Sequence, residues 1–224
     1  MKIVNAKYGL EVLCEEGYTN AIILENPRTM SEFIQELLIQ KDMDEEGNFL
    51  LSQDNKLLKL SKNIDVILDP FSLDVNNKKI ISSLYSQMNE IANEDMEQIY
   101  HINTVLIKKM DEIVDQFPSI DIQYNEIWEW TGIFKMLGVS INNQYDRLVE
   151  RLEHYLKIIV QFTDVRLLFF TNLSCFLPQN ELSMILEIAK HLKINIILVE
   201  NKEFSDILGV RQYILDTDNC LIIK

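Results

Sequence analysis

The spacing of apolar residues changes twice along this chain of 224 residues, and these two changes limit the folds that the chain can form. Towards both ends, short apolar runs such as VRLLFFTN at 165–172 have the length and composition of buried strands. From about residue 76 to residue 164, apolar residues recur instead every three or four positions, which is the period of a helix. The sequence therefore predicts an α/β protein that carries a helical insertion.

The first 75 residues combine strand-like runs with one helix. Apolar residues three and four apart predict a helix over 29–40, after a capping Asn26 and a first-turn Pro27. Strands are predicted at 2–6, 10–14, 21–25 and 65–69.

The insertion is predicted to be entirely helical. Residues 71–117 contain no glycine or proline, which favours one long helix or two helices with a break near Ala92 and Asn93. A shorter helix is predicted near 125–137. Apolar residues over 141–162 alternate by four and three, and this heptad pattern predicts an arm helix packed antiparallel against the earlier one.

Strand signals return after the insertion. Two buried strands at 165–172 and 194–200 flank a helix that starts at Pro178, and such a unit favours parallel pairing. A final strand is predicted at 220–224. The predicted organisation is an α/β head domain formed by 1–75 and 165–224, with an α-helical leg domain at 76–164.

The composition limits the compartment and the partners. No apolar run reaches the length of a membrane span, and the first residues lack the apolar core of a signal peptide. The three widely separated cysteines argue against disulfides or a zinc site and are predicted to be buried, so a cytoplasmic location is expected. A net charge of −14 opposes nucleic-acid binding unless lysines share one face or divalent cations offset the carboxylates.

The chain lacks the common catalytic signatures. GxxxxGK[ST], GxGxxG, HExxH and GxSxG are all absent, and six scattered glycines leave little capacity to cradle a phosphate. Nucleotide hydrolysis is therefore not expected, and the protein is predicted not to be an enzyme.

One acidic segment is a candidate metal site. In SIDIQYNEIWEW, alternation places Asp121, Gln123 and Asn125 on one side of an extended segment, and Glu126 follows. Oxygen-only ligands favour Ca²⁺ or Mg²⁺ over zinc, and an irregular loop suits Ca²⁺ better. The alternative is that Asp121 or Asn125 caps the next helix.

Two further groups of charged residues have competing interpretations. Asp216 and Asp218 in LDTDN either bind a metal or shape a turn. The pairs Lys78-Lys79 and Lys108-Lys109 interrupt the acidity and are candidates for DNA contact, although a solvated helix face also explains them.

Four stretches of this chain resemble the type II-A CRISPR-associated Csn family of spacer-acquisition accessory proteins. They span most of residues 60–224 in the family's order, whereas the first 60 residues match only in general pattern. The stretches are DVILDPFSLDVNNKKI at 65–80, IDIQYNEIWEW at 120–130 followed by MLGVSI, LLFFTNLSCFLPQNEL at 167–182 and RQYILDTDNCLI at 211–222.

This resemblance implies a head related in fold to P-loop ATPases but without the nucleotide motif, and an inserted helical leg. It also implies a Ca²⁺-binding homotetrameric ring that holds double-stranded DNA ends independently of sequence. The implied partners are the CRISPR integrase complex and the RNA-guided nuclease.

The family's acidic loop resembles residues 121–126, although Gln123 and Asn125 stand where acids are common in relatives. The resemblance does not place the family's DNA-contacting lysines in this chain, and the candidates taken from the sequence are Lys78, Lys79, Lys108, Lys109 and Lys135.

Two other functions remain open from the residues. A metal-dependent nuclease would use Asp69, Asp121 and Glu126, and it predicts cleavage in Mg²⁺ or Mn²⁺. A protein-binding adaptor would use the acidic surface and the helical leg, and it predicts no affinity for DNA.

Overall fold

The computed structural model describes residues 1–15, 18–43, 46–94, 96–126, 128–204 and 209–224. The chain separates into two compact units. The first unit joins Met1–Val75 to Asn143–Lys224 and is an α/β structure, and the second unit is Asn76–Asn142 and is helical.

Ten strands and seven α-helices are formed by the described residues. The strands are β1 (Lys2–Asn5), β2 (Leu10–Leu13), β3 (Thr19–Leu24), β4 (Phe49–Gln53), β5 (Lys56–Leu58), β6 (Ile64–Ile67), β7 (Leu167–Thr171), β8 (Asn195–Glu200), β9 (Val210–Leu215) and β10 (Leu221–Ile223). The helices are α1 (Pro27–Met43), α2 (Leu60–Asn63), α3 (Lys78–Ala92), α4 (Met96–Val114), α5 (Trp130–Met136), α6 (Leu148–Phe162) and α7 (Gln179–His191).

The larger sheet is almost entirely parallel, as predicted. Its strand order is β10-β9-β3-β8-β7-β6, and only β10 is antiparallel to its neighbour. Every residue of β3 and β7 is buried, which explains why these strands appear as continuous apolar runs rather than alternating ones. The unit β7-α7-β8 pairs in parallel, which confirms the prediction for residues 165–200.

The smaller sheet is antiparallel, with the order β2-β1-β4-β5. Its core contacts α1, since the Phe33 and Phe49 rings meet edge to face at 4.9 Å between centroids. The buried side chain of Gln40 accepts a hydrogen bond from Phe49 N at 2.8 Å and so fixes the start of β4. The sequence analysis identified β1 and β2 but missed β4, β5 and β9, which are short or only partly buried.

The helix α6 packs differently from the prediction. The heptad pattern predicts that it lies in the leg domain of 76–164, against the earlier long helix, whereas the contacts group it with the first unit. Its buried residues include Leu152 and Leu156, and it packs against α7. A heptad pattern identifies the face of a helix that is buried but not the element that covers it, so the partner was assigned wrongly.

A polar network also ties α6 into the first unit. Tyr155 donates a hydrogen bond to Asp65 Oδ2 at 3.0 Å, and Lys41 lies 2.9 Å from the other carboxylate oxygen. Burial, followed by the negative charge of Asp65, raises the pKa of Tyr155, which therefore remains a donor. The network joins α6 to β6 and α1.

The described residues of the second unit form the helices α3, α4 and α5. Of the two alternatives left open by the sequence, two helices are present, since α3 ends at Ala92 and α4 begins at Met96. The short helix begins at Trp130 rather than near residue 125. It packs on α3 through the Tyr85 and Phe134 rings, and Tyr85 donates a hydrogen bond to the Val139 carbonyl at 2.9 Å.

The cysteines differ from the prediction, because Cys14 is buried whereas Cys175 and Cys220 are exposed. Cys175 ends a short 3₁₀ turn in which Leu173 is buried, whereas Cys175 and the next residue, Phe176, are exposed. Within the part of the chain that the structure describes, no helix is long and apolar enough to span a membrane.

We expect Tyr155→Phe to reduce the free energy of unfolding of the first unit by about 2 kcal/mol, because it removes a partly buried hydrogen bond to a charged acceptor. Urea unfolding followed by circular dichroism measures this change. Tyr18→Phe is the matched control, since the Tyr18 side chain is exposed. Equal stability of the Tyr155→Phe and Tyr18→Phe variants would contradict the proposed contribution of the network.

Candidate nucleic-acid interface and metal loop

Lys78 and Lys79 lie in the first turn of α3 and are both exposed. The side chain of Asn77 caps this helix by accepting hydrogen bonds from Lys79 N and Ile80 N, each at 3.1 Å. The N-terminus of a helix carries a partial positive charge, so two lysines there oppose the helix dipole. The same arrangement concentrates positive potential and suits a bound phosphate group.

The other three candidate lysines lie on α4 and α5. Lys108 and Lys109 are exposed on α4, and Lys135 is exposed in the last turn of α5. Lys109 pairs with Glu112 at 2.8 Å, and among the described residues no ion pair is formed by the other four candidates. These five lysines are the only Lys or Arg residues in the sequence of 76–142, which also holds ten acidic residues.

The predicted metal ligands lie in a loop without regular secondary structure. Asp121, Gln123, Asn125 and Glu126 are all exposed. Their oxygen-only donor set fits the ligand preference of Ca²⁺. In the ranges that the structure describes, however, no three His, Cys, Asp or Glu side chains converge closely enough to hold a metal ion. The donor chemistry therefore fits Ca²⁺. The donor side chains do not yet surround one point, so they would have to move together when the ion binds.

Tyr124 connects this loop to the end of α4. Its hydroxyl donates a short hydrogen bond to Asp111, and this bond raises the pKa of Tyr124 to about 12, together with desolvation and the nearby charges of Asp111, Glu126 and Asp115. The structure thus adds Asp111 and Asp115 to the acidic surroundings of the loop. Sequence reasoning missed them, although their spacing of four residues places both on one face of a helix.

The LDTDN segment forms a turn. Asp216 Oδ1 accepts hydrogen bonds from Asp218 N at 2.9 Å and Cys220 N at 2.8 Å, which favours the turn interpretation over metal binding. This turn contacts the start of α1, where Asn26 donates to Thr217 O at 3.1 Å and Thr29 donates to Asn219 Oδ1 at 2.7 Å. Ligands of open α/β sheets usually bind at this carboxyl edge, and here part of it is covered by the chain itself.

Asp69, a candidate ligand of the nuclease hypothesis, also shapes a turn. Its carboxylate accepts a hydrogen bond from Phe71 N at 2.8 Å. This backbone hydrogen bond is the main reason that the pKa of Asp69 lies below its ordinary value. The carboxylate is thus charged and bonded to its own loop.

Comparison with known proteins gives three similarities. Residues 40–219 match the family model described as CRISPR-associated protein (Cas_Csn2). The chain is 24% identical over 189 residues to the CRISPR-associated protein Csn2 of Streptococcus agalactiae, which covers 82% of this chain and 81% of that protein. The fold is similar to the crystal structure of Stu0660 of Streptococcus thermophilus, with a TM-score of 0.61 and 12% identity over 96% of this chain and 75% of the other.

We expect Asp111→Asn to lower the pKa of Tyr124 from about 12 towards the ordinary value of tyrosine, because the variant loses the negative charge that opposes the phenolate. A pH titration of ¹³C-labelled tyrosine by NMR measures the shift. Asp121→Asn is the matched control in the same loop and should leave the Tyr124 pKa unchanged. An equal shift in both variants would show that Asp111 has no specific contact with Tyr124.

Proposed function

Because this chain belongs to the Csn2 family of type II-A CRISPR-associated proteins, we propose that it binds the ends of double-stranded DNA without cleaving them. In this proposal it acts in spacer acquisition for antiviral defence, as a homotetrameric ring that works with Ca²⁺, the CRISPR integrase complex and the RNA-guided nuclease. The structural observation that carries the proposal is the position of Lys78 and Lys79 in the first turn of α3.

Phosphate contact explains the placement of these two lysines. In an isolated helix, a lysine interacts more favourably with the dipole at the C-terminal end, where the dipole is negative. A DNA phosphate at the N-terminus of α3 would interact with both ammonium groups and with the helix dipole at once. Such contacts read the backbone alone, so the binding would be independent of sequence and would weaken steeply with salt.

The net negative charge of the protein repels DNA phosphates, so DNA binding requires that the positive charges be separated from the carboxylates. The whole chain carries a net charge of −14, and the 76–142 segment has twice as many acidic residues as lysines. A ring that turns its lysines inward would present the excess carboxylates to solvent, which keeps separate rings apart. Bound Ca²⁺ would neutralise part of the remaining negative charge near the DNA.

The loop around Tyr124 is the proposed Ca²⁺ site. Its oxygen donors are Asp121, Gln123, Asn125 and Glu126, and Asp111 of α4 and Asp115 just after this helix are close to the same tyrosine. Affinity for Ca²⁺ rises with the number of charged ligands, so these two aspartates would offset the neutral Gln123 and Asn125.

The exposed face of α4 supports a second candidate function. Within the described part of this helix no side chain is fully buried. Ile102, Leu106 and Ile113, which share one face of the helix, are 40%, 43% and 45% exposed. Contiguous apolar residues at a surface commonly mark a protein interface. A protein-binding adaptor of the acquisition complex would use this face, and so would the subunits of a homotetramer.

We expect the protein to bind linear duplex DNA more tightly than covalently closed duplex of equal length, because a ring can load only over an end. Electrophoretic mobility shifts with Ca²⁺ or chelator, followed by a salt titration, measure this difference. Failure to bind either DNA under any of these conditions would exclude the DNA proposal and favour the adaptor. Cleavage products in Mg²⁺ or Mn²⁺ would instead favour the nuclease.

The double variant Lys78→Gln/Lys79→Gln should weaken binding to linear DNA at least tenfold and reduce the slope of log K against log salt by about 2. Lys202→Gln/Lys224→Gln is the matched control, because it removes the same charge from exposed positions in the first unit. Equal losses in the two variants would mean that net charge alone is responsible.

We expect Ca²⁺ to lower the pKa of Tyr124, because a bound cation neutralises the carboxylates that now raise it. The NMR titration of labelled tyrosine with and without Ca²⁺ measures this effect. Asp121→Asn should weaken the response, whereas Asp218→Asn, an exposed aspartate of the first unit, should not. A Tyr124 pKa that is unaffected by Ca²⁺ would contradict this site.

A further inference from the structure

A cavity of about 390 Å³ opens at the amino edge of the larger sheet, the edge at which its parallel strands begin. All of its lining residues belong to the first unit. Buried apolar side chains of α7 and β8, including Leu186 and Ile196, form part of the wall. The volume falls within the range of small-molecule sites in proteins.

Two positively charged side chains without a carboxylate partner line this cavity. Arg166 directly precedes β7, and its guanidinium donates only to the carbonyl oxygens of Thr163 and Val165, at 3.3 and 2.9 Å. Lys193 directly precedes Ile194 and is exposed. In the described ranges neither side chain forms an ion pair, although the chain as a whole is strongly acidic.

The other cations at this edge are neutralised locally. Lys190 pairs with Glu187 at 2.7 Å, and Arg211 pairs with Glu15 at 3.3 Å. The cavity therefore keeps the charges of Arg166 and Lys193, together with the amino group of Met1, which also lines it. This excess of positive charge suits a phosphate monoester, which carries up to two negative charges near neutral pH.

The backbone at Lys193 adds a second argument. This residue follows α7 in the left-handed region, with φ at 56°, and Ile194 N bonds back to Ala189 O at 3.0 Å. Glycine is the usual residue at this position because it has no Cβ to clash. A lysine near the C-terminus of α7 interacts favourably with the helix dipole, but that interaction does not explain Arg166, which lies on another element.

An aromatic side chain, that of Tyr18, also lines this cavity. Tyr18 directly precedes β3, its ring is exposed, and the Arg211 guanidinium lies over it at 5.0 Å from the centroid. The strand pairing places Tyr18 and Arg166 at similar levels on the two strands that flank β8. Since neighbouring strands are about 4.8 Å apart, the two positions are separated by about 10 Å.

We propose that this cavity binds a nucleoside monophosphate, with its phosphate at Arg166 and Lys193 and its base against Tyr18. A separation of about 10 Å between cations and ring accommodates a phosphate, a sugar and a base. Arginine and lysine are the usual partners of phosphate, and every base can stack on an aromatic ring. This site is at the opposite edge of the sheet from the turn that covers the start of α1.

Isothermal titration calorimetry with deoxyadenosine monophosphate, deoxyadenosine and inorganic phosphate tests the proposal. The monophosphate should bind at least tenfold more tightly than either fragment, because only it engages the cations and the ring together. Absence of binding by the monophosphate, or affinity no greater than that of inorganic phosphate, would overturn the proposal.

Variants test the assignment of residues. Arg166→Gln and Lys193→Gly should each weaken binding of the monophosphate about tenfold, and Lys193→Gly keeps the fold because glycine suits the left-handed backbone. Lys202→Gln removes an exposed lysine outside the cavity and should leave affinity unchanged. Unchanged affinity in both cavity variants, or an equal loss in Lys202→Gln, would contradict the site. Calorimetry of the free nucleotide is independent of whether the protein binds DNA ends.

Discussion

The pairing of β3 with β8 and β9 is the interaction on which the first unit depends. Residues 19–24 lie between two strands from the C-terminal third of the chain, and all six are buried. A parallel pair cannot be joined by a tight turn, so these contacts close long loops and are the entropically costly part of folding. Burial of β3 and of its neighbours offsets that cost. The second unit is inserted between β6 and α6, so α6 leads the chain back to β7.

The two edges of the larger sheet differ in chemistry. At the carboxyl edge, Asn26 and Thr29 are hydrogen-bonded to the turn between β9 and β10. In many other open α/β proteins, polar groups at this edge bind a ligand, whereas here they bind the chain itself. At the amino edge, Arg166 and Lys193 line an open cavity, and within the described residues no carboxylate is paired with either side chain. A fold shared with other proteins does not fix which edge is used, because function depends on the side chains that each edge presents.

Electrostatics link the second unit to its proposed function. Its five lysines are outnumbered by carboxylates, so affinity for DNA depends on where the lysines lie rather than on net charge. Lys78 and Lys79 coincide with the positive end of α3, whereas the carboxylates of Asp111, Asp115 and Glu126 surround Tyr124. A divalent cation bound near Tyr124 would reduce the repulsion between these carboxylates and DNA. Lys78 and Lys79 would remain available to DNA phosphates.

The sequence by itself determined the fold class and the parallel unit β7-α7-β8, because hydrophobic period acts locally. It also identified the lysine pairs and the oxygen-rich loop as candidates. Only the tertiary structure decided that α3 and α4 are separate helices, that α6 packs with α7, that Asp111 bonds to Tyr124 and that Arg166 and Lys193 line one cavity. These contacts join residues whose meeting depends on the packing of whole elements, and a local pattern carries no information about its partner.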